Sequence, residues 1–153
     1  MYSKDQVSQL KQEFWTTFGQ YIAPQTSAEG LKINWINYKT GIKHLFFKME
    51  VDKHQASIAI EMTHPDAGIQ ELVYEQFTAF KKLLEAQLGE EWIWQPGISD
   101  AYGKKISRIY QVLSDVSIFK KEDWPALISF LKPRIIALDE FWNDAQYSFE
   151  VFK

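Results

Sequence analysis

The sequence has no cysteine among its 153 residues, which excludes disulfides, thiolate zinc sites, iron–sulfur clusters and cysteine nucleophiles together. Arginine is nearly absent, with Arg108 and Arg134 the only two, although its planar fork is the side chain best suited to phosphates and guanine edges. The formal net charge of −3 gives the chain no average attraction for polyanions. These shortages weigh against a reader of duplex DNA.

Glycine is also scarce, at seven residues, and no glycine-rich phosphate loop, GxGxxG or GxSxG motif is present. The sequence therefore gives no support to nucleotide-dependent or nucleophilic enzymes. The histidines match no zinc spacing, so we predict no metal and no other cofactor. No apolar run reaches the length of a membrane helix, and the first residues lack the apolar stretch of a signal peptide. We expect a cytoplasmic protein without a membrane partner.

What is present fits an ordinary globular protein, with 46% hydrophobic and 24% charged residues. The length predicts one domain over 1–153. Three segments have the apolar periodicity of helices. A capping box of Ser3 and Gln6 begins the first, Asp123 is expected to cap the last, and Pro133 is expected to kink or break it. The predicted helices run from Ser3 to Pro24, from Asp66 to Gly89 and from Asp123 to Phe152.

Between the helices, β-branched and aromatic residues alternate with polar ones and predict strands. With a turn at Lys53 and His54, one face of a hairpin is apolar and the other is solvated. The order is helix, three strands, helix, one or two strands and a long C-terminal helix. It predicts an α+β domain with an antiparallel sheet in a two-layer sandwich. The predicted strands are Ile33–Tyr38, His44–Asp52, Ala56–Thr63, Trp92–Trp94 and Lys105–Leu113.

The solvated face of the hairpin carries one candidate catalytic set, Lys48, Glu50 and Glu61. Restriction-type nucleases share this order of elements and use two acids on adjacent strands to hold Mg²⁺, with a lysine two residues after the second acid. Here Thr63 stands at the lysine position, and only Lys48 could substitute. A cross-strand ion pair of Lys48 with Glu61 is the preferred interpretation. A divergent or inactive Mg²⁺-dependent nuclease-like domain is the alternative.

A second candidate site mixes aromatic rings with positive charge, as platforms for single-stranded nucleic acid do. Its residues are Trp94, Lys104, Lys105 and Arg108. The preferred alternative is that the rings complete the core while the lysines surround an exposed loop. The stripe of the last helix is likewise expected to be core, although the aromatic tail 142–152 is rich enough to attract a partner.

Five stretches of the sequence form a recognisable set of motifs: Phe14-Trp15-x-x-Phe18-Gly19, Lys39-Thr40-Gly41, Leu83-Leu84-Glu85-x-x-Leu88-Gly89-Glu90-x-x-x-Trp94, Glu122-Asp123-Trp124 and Phe141-Trp142. These motifs resemble those of a bacterial family, the domain-of-unknown-function family numbered 4268. The resemblance covers nearly the whole chain and implies a stand-alone copy. Other members occur as carboxy-terminal domains of larger proteins, some of them linked to restriction or nuclease systems. The matching positions are mostly aromatic, aliphatic or glycine, so they imply a fold and transfer no catalytic residue.

The sequence does not determine a function by itself. The best-supported expectation is a non-enzymatic binding or interaction module, accessory to a bacterial restriction or defence system. Its expected partner is a protein or a second copy of the chain, and nucleic acid is the less favoured partner. A small-molecule pocket between sheet and helices would leave no signature in the sequence.

Overall fold

The structure, a computed structural model, describes residues 2–153. Among these residues, no helix is both long enough and apolar enough to cross a membrane. Short 3₁₀ helices precede and follow the last α-helix, at Lys121–Asp123 and Gln146–Phe152. The elements in chain order are α1 Lys4–Ile22, β1 Leu45–Val51, β2 Gln55–Met62, α2 Ala67–Ala79, α3 Lys81–Leu88, β3 Ile93–Ser99, β4 Lys105–Ser114 and α4 Trp124–Ala145.

The strands form one antiparallel four-stranded sheet in the order β1-β2-β4-β3. The predicted hairpin register is confirmed, since Phe46 lies opposite Glu61 and Glu50 lies opposite Ser57. The α+β class, the antiparallel sheet and the long C-terminal helix are also confirmed. The capping box predicted for α1 is present, because the side chain of Ser3 accepts from the backbone N–H of Gln6 while the Gln6 side chain bonds back to Ser3.

The helices pack on one face of the sheet. The ring of Trp142 in α4 lies 5.6 Å from that of Phe47 in β1, and Tyr74 in α2 lies 5.8 Å from Trp94 in β3. Alternation along each strand sends these side chains to the same face. The result is a layer of helices against a layer of strands, with the hydrophobic core between them.

The aromatic tail 142–152 belongs to this core. Trp142 is 2% exposed and Phe149 is wholly buried against Phe77. The expectation that the stripe of the last helix is core is therefore confirmed for these two rings, whereas Tyr147 in the same tail is 66% exposed. The tail also leaves the α-helical path, since α4 ends at Ala145 and a 3₁₀ helix completes the chain instead of a continuous helix.

The predicted strand Ile33–Tyr38 is not a strand, so two strands, not three, precede α2. The side-chain oxygen of Asn34 accepts from the backbone N–H groups of Ile36 and Asn37 at 3.2 and 3.1 Å. Asparagine offers this local alternative to a strand ladder, and it closes a turn here. The β-branched and aromatic residues of the segment had indicated a strand, but a local polar contact overrides that propensity.

The second predicted helix is divided at Phe80, which adopts a non-helical conformation between α2 and α3. The division brings the Phe80 ring to 6.2 Å from Phe141 and 6.1 Å from Phe149. Leu72 and Leu83, both counted in the predicted apolar stripe, are 54% and 63% exposed. The predicted continuous apolar stripe therefore corresponds to two helices, α2 and α3, which bury different faces.

The third strand of the sheet is longer than the predicted Trp92–Trp94. β3 continues through the expected turn at Pro96 and Gly97 and pairs with β4 on both sides of a bulge between Gln95 and Ile98. An edge strand with a bulge tolerates proline because no ladder donor is needed there. The backbone N–H of Gly97 donates to the hydroxyl of Ser107 at 3.1 Å instead of to the ladder.

Helix α4 differs from expectation at its start and centre. The side chain of Asp123 makes no cap and instead accepts from the backbone N–H of Ser117 at 2.9 Å. Pro125 lies in the first turn, as predicted. Of the two outcomes predicted at Pro133, a kink or a break, the break does not occur, since the helix continues to Ala145. Burial of its stripe on both sides of Pro133 outweighs the loss of one backbone hydrogen bond.

An ion pair joins the loop after α3 to α4. The guanidinium of Arg134 donates to both carboxylate oxygens of Glu90, at 2.9 and 2.8 Å, and the Trp92 indole donates to the same carboxylate at 2.8 Å. Partial burial alone raises the pKa of Glu90, but the bonds from Arg134 and Trp92 outweigh it and hold that pKa below its ordinary value near 4.5. The ionised carboxylate is thus favoured by folding.

This pair predicts a specific acid sensitivity. Because the folded-state pKa of Glu90 is lowered, its stabilisation is present above pH 4.5 and disappears as pH falls through the lowered value. At neutral pH, the urea midpoint of Glu90→Gln should lie below that of the unmodified protein, and this difference in midpoint should become smaller in acid. The matched control is Glu91→Gln at the exposed neighbouring residue. The difference in midpoint between Glu91→Gln and the unmodified protein should not depend on pH. Equal pH profiles for both variants would contradict the role of the pair.

Candidate functional site

The sheet face opposite the helices is the first candidate site. Phe46 on the edge strand β1 is 41% exposed, and Ile93 on the other edge strand, β3, is 45% exposed. Between these two edges lie the outward side chains of β2 and β4, among them Glu61 and Arg108. We call this surface the open face. It combines exposed apolar groups at its margins with charged groups at its centre.

Three charged side chains meet at the centre of the open face. The Nζ of Lys48 lies 3.4 Å from one carboxylate oxygen of Glu61, and the Nε of Arg108 lies 3.4 Å from the other. The guanidinium of Arg108 also stacks over the ring of Tyr110, 4.5 Å from its centroid. Within the described residues, Arg108 Nε is buried and has no hydrogen-bond partner, so Glu61 neutralises it by charge more than by direct bonding.

The expectation that the second face of the hairpin is solvated is wrong for β2. Ser57, Ala59 and Glu61 are 7%, 2% and 8% exposed. The reason is the position of β2 between β1 and β4, where longer side chains from both neighbours cover its short ones. The predicted pair of Lys48 with Glu61 is present, but its second cation, Arg108, comes from β4. No local sequence pattern predicts Arg108 as a partner, because the pairing of β2 with β4 joins distant parts of the sequence.

The nuclease-like set does not form a pair of free carboxylates. Both oxygens of Glu61 face cations, while Glu50 lies opposite Ser57, four residue pairs further along the ladder. Across residues 2–153, no three His, Cys, Asp or Glu side chains come together in a way that could hold a metal ion. The arrangement of Lys48, Glu50 and Glu61 therefore supplies a network of opposite charges.

The structure separates the residues of the predicted nucleic-acid platform. Trp94 lies opposite Ile109 and faces the helices, whereas Arg108 points to the open face. Lys104 lies in the loop before β4, and Lys105 begins that strand; both are exposed. Because successive residues of a strand point to opposite faces, Trp94 and Arg108 do not share a surface.

A cavity of about 370 Å³ lies on the helical side, between the loop after α1 and helix α4. Its innermost charged group is Asp139, which is 6% exposed. One carboxylate oxygen accepts from the hydroxyl of Tyr38 at 2.5 Å, and the other accepts from the backbone N–H of Ala28 at 2.8 Å. The indole N–H of Trp142 donates nearby to the carbonyl of Thr40 at 2.9 Å.

Burial, followed by the hydrogen bond to Asp139, raises the pKa of Tyr38 far above its ordinary value. Tyr38 therefore stays protonated and donates to Asp139. Sequence analysis missed both residues. For Asp139, its position in the sequence could have indicated burial. It lies four residues after Ile135 and three before Trp142, inside the apolar stripe of the last helix. An acid on such a stripe is expected to be buried and to have a specific partner.

A family model described as "Domain of unknown function (DUF4268)" matches residues 10–146 of the chain. The match extends from the first half of α1 to the residue that follows α4. No curated protein and no solved structure matches the chain.

Proposed function

The chain belongs to the DUF4268 family, and from this premise we propose that it is a non-enzymatic interaction module whose binding surface is the open face. The partner that the face fits best is a second copy of the chain. We further propose that the module works in the bacterial cytoplasm as an accessory to a restriction or defence system, in line with the resemblance noted from its motifs. Nucleic acid is the less favoured partner.

The observation that supports this proposal is the exposure of large apolar side chains on the sheet face opposite the helices. Phe46 and Ile93 are each more than two-fifths exposed at opposite edges of the same face. Antiparallel sheets bury one face in the core, and the other face is usually polar. Exposed aromatic and branched residues on that second face are typical of a surface that packs against another protein.

Charge favours a second copy over a strongly charged partner. The charged side chains of the open face are Lys48 and Arg108, which are cationic, and Glu50 and Glu61, which are anionic. Their charges cancel. In a two-fold symmetric dimer, the same patch meets itself, so a patch with one dominant sign would repel its copy. A neutral patch with both signs is self-complementary.

The size of the face agrees with a reversible dimer. Four strands about 4.8 Å apart and about seven residues long cover roughly 19 by 23 Å. Two copies would bury about 900 Å² before surface relief is added, close to the lower limit of about 1,000 Å² for specific interfaces. Two such sheets would pack face to face at about −30°, as in sandwich folds.

Sedimentation velocity tests the proposal. The unmodified protein should shift from monomer to dimer as its concentration rises from about 10 μM to about 1 mM. Phe46→Asp, which replaces an apolar group at the margin of the contact with a charge in each copy, should remain monomeric throughout. The matched control is Leu83→Asp, which changes a still more exposed leucine on α3 and should leave the dimer unchanged.

If the protein stays monomeric at every concentration, a second copy is not the partner. The same conclusion follows if Phe46→Asp and Leu83→Asp weaken the dimer equally.

The alternative function is a Mg²⁺-dependent nuclease-like domain that uses Lys48, Glu50 and Glu61. It has less support, because both oxygens of Glu61 face cations. Mg²⁺-dependent nicking of DNA that disappears in Glu61→Gln would favour it over the interaction module.

A further inference from the structure

We propose that the cavity around Asp139 binds a small organic cation, an alkylguanidinium or alkylammonium ion, with its N–H groups directed at the Asp139 carboxylate. The cavity lies on the helical side of the sheet, so this binding site is separate from the open face and independent of any dimer. Its volume of about 370 Å³ falls within the range of small-molecule sites.

The first argument is an uncompensated buried charge. Asp139 is 6% exposed, yet across residues 2–153 no lysine, arginine or histidine lies within ion-pair distance of it. Its two partners, Tyr38 and the backbone of Ala28, are neutral donors. Buried carboxylates are normally paired with a cation, because two neutral hydrogen bonds do not replace the lost hydration. A cationic ligand would supply the missing charge.

The second argument is the acceptor capacity that remains. A carboxylate has about four acceptor positions, and Asp139 uses two of them within the chain. The other charged groups of the lining are Glu29 and Lys39, so the cavity as a whole carries a charge of −1. Glu29 is close enough to Tyr38 to contribute to its raised pKa. The field in the cavity therefore favours a positive ligand.

The third argument is the character of the walls. Leu31, Ile33 and Trp142 supply apolar surface for an alkyl chain, whereas Asn143 and Gln146 of the C-terminal end supply amide groups. A mostly apolar wall with a few convergent polar groups is the usual form of a ligand site. An alkyl cation fits both parts, since its charged end can reach the carboxylate while its chain contacts the apolar side.

An NMR titration with butylguanidinium chloride tests the site, and butylurea is the matched probe because it has nearly the same shape without the charge. Butylguanidinium should shift the amide resonance of Ala28 and the indole N–H of Trp142 with saturation below about 10 mM, whereas butylurea should bind at least tenfold more weakly. Asp139→Asn keeps an acceptor but removes the charge, and it should lower the affinity for butylguanidinium at least tenfold. Glu71→Gln, an exposed acid outside this cavity, should change nothing.

Equal binding of the two probes, resonance shifts confined to other parts of the chain, or no saturable binding would overturn the proposal. If Asp139→Asn does not fold, Glu29→Gln at the exposed mouth takes its place. That variant should lower the affinity for butylguanidinium severalfold and leave the affinity for butylurea unchanged. Unaltered butylguanidinium affinity in a folded Asp139→Asn, or failing that in Glu29→Gln, would also contradict the site.

Discussion

Replacing Phe47 by alanine is expected to lower the free energy of unfolding by about 3–5 kcal/mol, because the change removes buried apolar surface and leaves a cavity. Phe47 is 3% exposed and packs near two rings, Tyr38 of the loop after α1 at 5.1 Å and Trp142 of α4 at 5.6 Å between centroids. The side chain therefore joins β1 to the loop after α1 and to α4. Urea denaturation, with the midpoint compared at constant slope, measures the effect.

The adjacent residue provides the control. Phe46 has the same side chain but points to the open face and is 41% exposed. Phe46→Ala should cost less than about 1 kcal/mol, provided that both variants are compared at a concentration where the chain is monomeric. Similar losses for the two phenylalanines would mean that the sheet does not have one buried and one open face.

Replacing Glu61 by alanine is expected to destabilise the protein by about 2–3 kcal/mol. Breaking a fully buried ion pair by removing one partner costs about 3–5 kcal/mol, and the partial exposure of Lys48 and Arg108 reduces that figure here. The remaining cost arises mainly at Arg108, whose buried Nε would lose Glu61, its one ion-pair partner within residues 2–153. Thermal and urea unfolding of the variant at neutral pH both report it.

Lys48→Ala tests the same cluster from its exposed side. The Lys48 side chain is 46% exposed and can be solvated without its partner, so its loss should cost less than about 1 kcal/mol. An ion cluster whose role is structural predicts this order of effects. A ligand kept for metal binding would instead leave stability unchanged, or raise it, when Glu61 is removed. Glu61→Ala therefore also separates the interaction module from the nuclease-like alternative.

The candidate sites differ in how far they could be predicted. The pair of Lys48 with Glu61 follows from the hairpin, since a short turn fixes which residues of neighbouring strands meet. The third member, Arg108, required the pairing of β2 with β4. The cavity required even more, because Asp139 and Tyr38 meet only after the loop that follows α1 has folded against α4.

The sequence by itself determined the features that depend on neighbours along the chain. These are the capping box of α1, the apolar face and register of the β1–β2 hairpin, and the α+β order of elements. The sequence determines these features because apolar periodicity, helix caps and hairpin turns each depend on residues only a few positions apart. Only the tertiary structure decided that the second face of β2 is buried as well, and that the second predicted helix divides at Phe80. Both depend on contacts between distant segments, which the apolar pattern of the sequence does not contain. The turn within Ile33–Tyr38 depends instead on the local hydrogen bonds of Asn34, which an apolar pattern does not show either.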